Sequence, residues 1–524
     1  MSSVQIAQNA IQARLLGADR DTALHVSSLL SYQVQGCEQM TAFRRGHWDG
    51  RTSLFEMRTG KFPAGFVPLV QQRLAKLGHE VQLVRKPLPP ALGSARPLFD
   101  EFGYGAPEYA YQPETIDKLC RHGRLIAQIA TGGGKSRVAK IAVARIRRPT
   151  LFLTTRGVLM HQMRDHFQDL YAGLAKYEPG CEEFAKYRVG VLGDSVWDPR
   201  RLANVGMVQT LSQRLGEPDP KLSEVKKAEF LRRRAQTIKL LQMFELVILE
   251  EAHEASGNSY YEIMNNCVNA HYRLALTATP FMKANQEDNM KLMAVSGPIG
   301  IRVSEKQLID TGVLARPIFK IIKADKPKSL FRTTSWPRCY ELGVMSSVPR
   351  NAEIIREALR AAKYKLPTLI LIQRETHGKM LTAALESNGL HAKFINGKSG
   401  QPERKRTLAM LASGEYDVVV GSTILDVGVD VPSIGMIIIA SGGKAEVQLR
   451  QRIGRGLRKK KSGPNVAFVV EFWDQYNDTL MKHSAQRRQI IENTPGFVEN
   501  ILPDGQDFDF ESLGFKMSAL ISHR

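Results

Sequence analysis

The chain has 524 residues, 43% of them hydrophobic, which excludes a single ordinary domain and allows two or three full-sized cores in a soluble globular protein. With 73 Lys+Arg against 52 Asp+Glu, the formal charge is +21 and the pI about 9.7, which favours a polyanionic partner, nucleic acid ahead of an anionic membrane, over a merely basic solvated surface. Five scattered cysteines without metal-ligand spacing, and no apolar run near the ~20 residues of a membrane span, predict reduced thiols, no structural zinc and a cytoplasmic protein that is neither secreted nor embedded.

In chain order, residues 1–95 end in the turn-rich KPLPPALGSARP (86–97) and read as a small accessory domain. Within it Trp48, Phe55, Phe62 and Phe66 alternate with Arg44, Arg45, Arg51, Arg58 and Lys61. That pattern suits either a nucleic-acid surface or a small aromatic core with bases exposed outside it.

From 124 to 276 short apolar runs (RLIAQI, TLFLTT, YRVGVL, NVGMVQ, ELVILE, RLALTA) alternate with helical stretches, which predicts a parallel sheet covered on both faces. A linker is expected near 297–317, and a basic run, KKAEFLRRRAQTIK (226–239), is either a duplex-contacting insertion or a solvated helix. PTLILIQ, HAKFING, YDVVVGS, IGMIIIA and NVAFVV then predict a second domain of the same type, followed by a tail from 490 that docks through Phe508, Phe510 and Phe515. The expected domains are 1–95, 96–300, 301–489 and 490–524.

IATGGGKS (129–136) lies between a strand and a helical pattern. Thr131, Gly132, Gly133 and Gly134 can turn backbone N–H groups around phosphate oxygens, Lys135 can reach the β/γ-phosphates, and Ser136 can ligand Mg²⁺. Ile129 stands where the strict phosphate-loop pattern has its first glycine. Upstream, Gln112 offers an amide for an adenine edge. Starting 115 residues after Lys135, the adjacent carboxylates Glu250 and Glu251 end an apolar strand, suited to a metal's water shell and to orienting a water, with His253 as a link to the neighbouring elements.

These stretches resemble the motifs of helicase superfamily 2, in that family's order over residues 107–458, except that Glu250 stands where the family carries Asp. The resemblance implies two tandem RecA-like doubly wound α/β domains, with ATP and Mg²⁺ as cofactors. It places Thr155 and Arg156 on a nucleic-acid backbone, and Thr277 and Thr279 of LTATP in coupling hydrolysis to movement. In the second domain it implies nucleic-acid contacts for Gln373, Arg374 and Thr423, and nucleotide contacts for Gly428 and Asp430.

QRIGRGLR (451–458) is similar to the last motif. Gln451, Arg455 and Arg458 are spaced four and three apart, one face of a helix, and the family's logic makes the two arginines fingers on the γ-phosphate. Within the superfamily the chain looks most like the phage UvsW-type branched-DNA helicases, with XPB-like and RecG-like enzymes more distant. The function implied is a monomeric DNA helicase or translocase on forks, D-loops, R-loops and Holliday junctions. The alternatives are an RNA helicase or RNA-stimulated ATPase, and a hydrolysis-deficient, ATP-gated nucleic-acid-binding protein.

Overall fold

The computed structural model describes residues 3–103, 106–251, 257–281, 286–328, 330, 335–396, 399–421, 434–443, 453–454, 456–460 and 463–518. They divide into two compact units, one made of 1–129 and 134–302, the other of 130–133 and 303–524.

The first unit begins with β1 (Ser3–Gln8), β2 (Gln12–Leu16), β3 (Ser31–Gln33), β4 (Arg51–Ser53), β5 (Lys61–Pro63) and β6 (Glu80–Arg85). β3 and β4 form a separate pair, and the others a sheet in the order β5-β2-β1-β6. Strand residues alternate between buried and accessible, as in a sheet covered on one face only. Val4, Ile6, Ala13 and Leu15 share a core with Val26 of helix Arg20–Leu29 and Val70 and Leu74 of helix Val67–Lys76. The first of these helices is capped by Asp19, whose carboxylate accepts from Thr22 N at 2.7 Å.

Phe55, Phe62 and Phe66 are 4%, 2% and 0% exposed in this core, while Arg44, Arg45, Arg51, Arg58 and Lys61 are exposed. Three of the four aromatics are therefore structural. Trp48, half-buried, donates Nε1–H to Arg51 O at 2.6 Å. This N-terminal module is packed onto the helix Gln286–Ser296 of the same unit rather than standing apart, because a Cβ on Gly65 would fall 2.1 Å from Met293 O and Ala294 lies in the N-terminal core.

The main sheet contains β7 (Arg124–Ile129), β8 (Thr150–Thr154), β9 (Gly190–Gly193), β10 (Val196–Asp198), β11 (Ala203–Met207), β12 (Leu246–Glu250), β13 (Tyr272–Thr277) and β14 (Ile299–Val303), ordered β10-β9-β11-β8-β12-β13-β7-β14. From β9 to β7 every pair is parallel, and β12 and β13 are buried at every position, which explains runs with no polar alternation. β10 returns antiparallel to β9 through Asp194 and Ser195, both at positive φ (52° and 64°), the twist-matched hairpin turn.

The second unit holds β15 (Arg316–Ile322), β16 (Thr368–Leu371), β17 (Ala392–Ile395), β18 (Val418–Gly421), β19 (Met436–Ile439) and β20 (Val466–Phe472), all parallel in the order β15-β20-β19-β16-β18-β17. Its core includes Phe468, and Phe508 and Phe510 pack on that ring at 5.0 and 4.7 Å between centroids.

The expected linker at 297–317 is structured. It carries β14 at one sheet's edge, the helix Glu305–Asp310 capped by Ser304, and the start of β15. Gly and Pro punctuation masked IGIRV, which is short because it lies at an edge.

Candidate nucleotide and nucleic-acid site

Topology assembles the first unit's candidate residues. β12, β13 and β7 are consecutive in the sheet, with Glu250 opposite Leu276 and Thr277 opposite Gln128. The loops carrying Lys135, Glu251 and Thr279 therefore leave one carboxyl edge side by side, where doubly wound sheets bind ligands.

After β7 the chain turns through Gly132 (φ 89°) and Gly134 (φ 75°), with Gly133 N donating to Ala130 O at 3.0 Å, and enters the helix Lys135–Ile146. Gly134 is required twice over. Its backbone is left-handed, and a Cβ there would sit 2.6 Å from Gln112 Nε2. Gln112, 2% exposed in the first turn of helix Tyr111–His122, thus places its amide against the phosphate-type loop. Lys135 is 8% exposed and donates Nζ to Ile129 O at 3.5 Å, while Thr131 and Ser136 are half-buried.

At the end of β12, Glu250 is 5% exposed and its carbonyl accepts from the Tyr260 hydroxyl at 3.3 Å. Glu251 has φ 48°, a rare region for a side chain of its size, held because its N–H still donates to Leu276 O at 3.1 Å. The strand ends there, and the second carboxylate is buried like the first. Thr277 and Thr279 are buried, linked by Thr279 N donating to Thr277 Oγ1 at 3.2 Å. Gln128 Nε2 donates to Ala278 O at 3.4 Å and ties this loop to β7.

Thr155 and Arg156 follow β8, half-buried, at the start of helix Gly157–Tyr177, and Gln209 Nε2 donates to Thr155 O at 3.0 Å. Gln128 and Gln209 were missed as positioning residues. Their signal was a polar side chain at or just beyond the carboxyl end of an apolar run.

In the second unit Gln373 and Arg374 are exposed after β16, with the Arg374 guanidinium 5.6 Å from the Tyr340 ring centre. Arg458 itself lies just past the helical residues of its motif, while Gln451 and Arg455, expected on one helix face with it, lie outside the described residues. The helical turn ends at Leu457, whose carbonyl accepts from Ala315 N at 2.6 Å, and Arg458 bridges to Leu314. Backbone pairing with the segment before β15 outcompetes another helical turn. His253, Thr423, Gly428, Asp430, Gln451 and Arg455 lie outside the described residues.

The donor set fits a magnesium nucleotide: a glycine turn at a helix N-terminus, a buried ammonium, a hydroxyl and two buried carboxylates at one sheet edge.

Two family models match in tandem. One, described as "Type III restriction enzyme, res subunit", covers residues 107–282, and the other, "Helicase conserved C-terminal domain", covers 351–460. The chain belongs to helicase superfamily 2.

Among relatives it is similar to the ATP-dependent DNA helicase UvsW of Enterobacteria phage T4, 20% identical over 492 residues and 89% of each chain. It is also similar to helicase 22 of Sulfolobus islandicus filamentous virus, 25% identical over 264 residues, 48% of this chain and 46% of that protein. The chain thus spans about half the length of the viral relative. The crystal structure of the DUF1998 helicase MrfA bound to DNA and AMPPNP superposes with a TM-score of 0.51 at 13% identity, covering 74% of this chain and 51% of that one, and shares the fold of two RecA-like units. Among the described residues no helix is long and apolar enough to cross a membrane.

Proposed function

We propose that the protein is an ATP- and Mg²⁺-dependent DNA helicase or translocase that remodels branched DNA. The observation that carries this reading is the adjacency of three loops, after β7, β12 and β13, which gathers Lys135, Ser136, Glu250, Glu251 and Thr277 at one carboxyl edge.

In it the backbone amides of 131–134 and Lys135 bind the phosphates, Gln112 meets the base, and Ser136 and Glu250 hold the metal. Bound there, magnesium would supply positive charge against the negative charge that develops on a transferred phosphoryl group. Glu251 orients the attacking water and accepts its proton. Arg455 and Arg458 are required for turnover in this reading, and Thr155, Arg156, Gln373, Arg374 and Thr423 contact nucleic-acid phosphates, contacts that carry little information about the sugar.

DNA rather than RNA is supported by the similarity to the phage T4 DNA helicase along 89% of the chain. Glu250 in place of Asp motivates the second reading, an ATP-gated binding protein with little turnover.

The test is steady-state ATP hydrolysis with Mg²⁺, comparing no nucleic acid, linear single and double strands, a four-way junction and RNA, with Glu251→Gln as control. Stimulation strongest on the junction and lost in the variant is expected. Strongest stimulation by RNA would replace DNA as the substrate, and no turnover with intact DNA binding would leave the ATP-gated protein.

A further inference from the structure

The N-terminal sheet has an open face opposite its core. Pairing places Lys61 opposite Arg14, Arg14 opposite Ala7 and Ala7 opposite Val84, a row across β5, β2, β1 and β6. Laterally paired residues point to one face, and their neighbours Phe62, Ala13 and Ile6 fill the core, so this row faces out. The small Ala7 at its centre leaves a trough. Lys86 continues β6 at the same end, Arg85, paired with Gln8 in the core-side row, lines the groove from the strand's end, and Gln8, Asn9 and Gln12 add amides. The groove so formed measures about 660 Å³ and has four cations and no carboxylate in its lining.

Among the described residues, Arg14, Lys61, Arg85 and Lys86 make no ion pair; Arg14 Nε donates to Thr59 O at 2.8 Å, which leaves its terminal nitrogens to the groove. Beneath the turn that joins β1 to β2, buried Arg124 donates to Ala10 O at 2.8 Å. Burial first, then the like charges of Arg273 and Arg85, draw its guanidinium down to about 9. Cations gathered without counter-charges cost stability in the free protein, a cost that a polyanion relieves.

The lining has no aromatic ring, and Phe55, Phe62 and Phe66 are spent in the domain's core. Single-strand sites need such rings for stacking, whereas phosphate contacts need cations, amides and backbone donors. Lys61 and Val84 lie three strand spacings apart, roughly 14 Å, comparable with the ~12 Å width of a major groove.

We propose that this groove at the end of the sheet docks duplex DNA by its phosphate backbone through Arg14, Lys61, Arg85 and Lys86, holding a double-stranded arm outside the motor site. The inference rests on the reading of the substrate as DNA and adds a second contact surface to it.

The experiment measures binding of a blunt duplex to the full chain, without ATP, by fluorescence anisotropy over a series of salt concentrations. A variant with Arg14, Lys61, Arg85 and Lys86 all changed to Ala should bind at least about tenfold more weakly, with the log–log salt slope reduced by roughly 3 to 4 at about 0.9 per phosphate contact. Its hydrolysis of ATP without nucleic acid should match the wild type, and its thermal unfolding should come at the same temperature or higher. The charge-keeping swap Arg14→Lys with Arg85→Lys should retain affinity.

Unchanged affinity and slope in the quadruple variant would overturn the proposal, as would equal loss for oligo-dT or a charge-keeping swap as damaging as the alanines. A wild type that binds duplex through this groove but never hydrolyses ATP would remove the motor and leave the groove standing.

Discussion

Glu251 joins backbone to chemistry. Its left-handed φ of 48° costs on the order of 1–2 kcal/mol, at a residue whose carboxylate is buried directly after the strand that ends in Glu250. In the proposed reading Glu251→Gln keeps shape and burial but removes the base, and should abolish ATP turnover while nucleotide binding persists. Glu250→Asp shortens a metal-side carboxylate by one methylene; hydrolysis should survive within about tenfold, with the change appearing as an altered Mg²⁺ requirement. Steady-state kinetics against Mg²⁺ concentration checks both. Gly134→Ala meets the Gln112 amide and a backbone that disfavours a side chain, so fluorescent-nucleotide titration should show at least about tenfold weaker binding.

A buried histidine gives a pH signature. His377 in the helix after β16 is fully buried, its Nε2 3.0 Å from Asn351 Oδ1. Burial, with Arg350 adding like charge, holds its imidazole down to about 3, against the usual 6.5. The unfolded chain therefore binds a proton below pH 6.5 that the folded chain refuses. The stability this group contributes is complete above pH 6.5 and is lost progressively as pH falls from there toward 3, by about 2 kcal/mol at pH 5. Thermal unfolding at pH 7 and pH 5 should show the loss, and His377→Gln should flatten it.

At the level of elements, the tail after residue 500 belongs to the second unit's core. Phe508 and Phe510 pack edge-to-face on Phe468, and Arg360 donates to Phe508 O at 3.0 Å. Phe510→Ala should cost about 3–5 kcal/mol, read as a lower urea midpoint. The docking of these rings was legible because large aromatics in a polar tail have no other reason to be there. Both parallel sheets were legible for a related reason: strands covered on both faces must be apolar throughout, and a run such as LVILE has one ready interpretation.

The four-stranded N-terminal sheet was not read, since its three- to six-residue strands alternate and the shorter ones show no period. Its aromatics suited a core as well as a surface, because the intervening bases are exposed in either case, and only packing shows which way each ring turns. Residues at the site were legible as motifs, but their convergence was not. It depends on the strand order β12-β13-β7, which joins positions over a hundred residues apart. The helix Glu224–Gln242, mostly exposed with only Thr237 and Leu241 buried, places the basic run on a helix, and several of its charges pair within it or with Glu217.

On the scale of the whole molecule, each unit has its own core, one around Leu249 and Phe244 and the other around Phe468. Urea unfolding should resolve two transitions by intrinsic fluorescence and circular dichroism, and Phe510→Ala should move one of them. A single transition displaced as a whole would contradict independent cores.

The hairpin strand β10 has a further consequence for a protein made at high concentration. A large, mostly parallel sheet with a bare margin offers unpaired amides to a second copy. Here the margin is three residues long, ends in Asp198 paired with Arg200, and runs into Pro199, which has no N–H to offer. Growth of the sheet from chain to chain stops at that border, so one of the sheet's two margins is closed to a second copy by one tight turn and the proline that follows it.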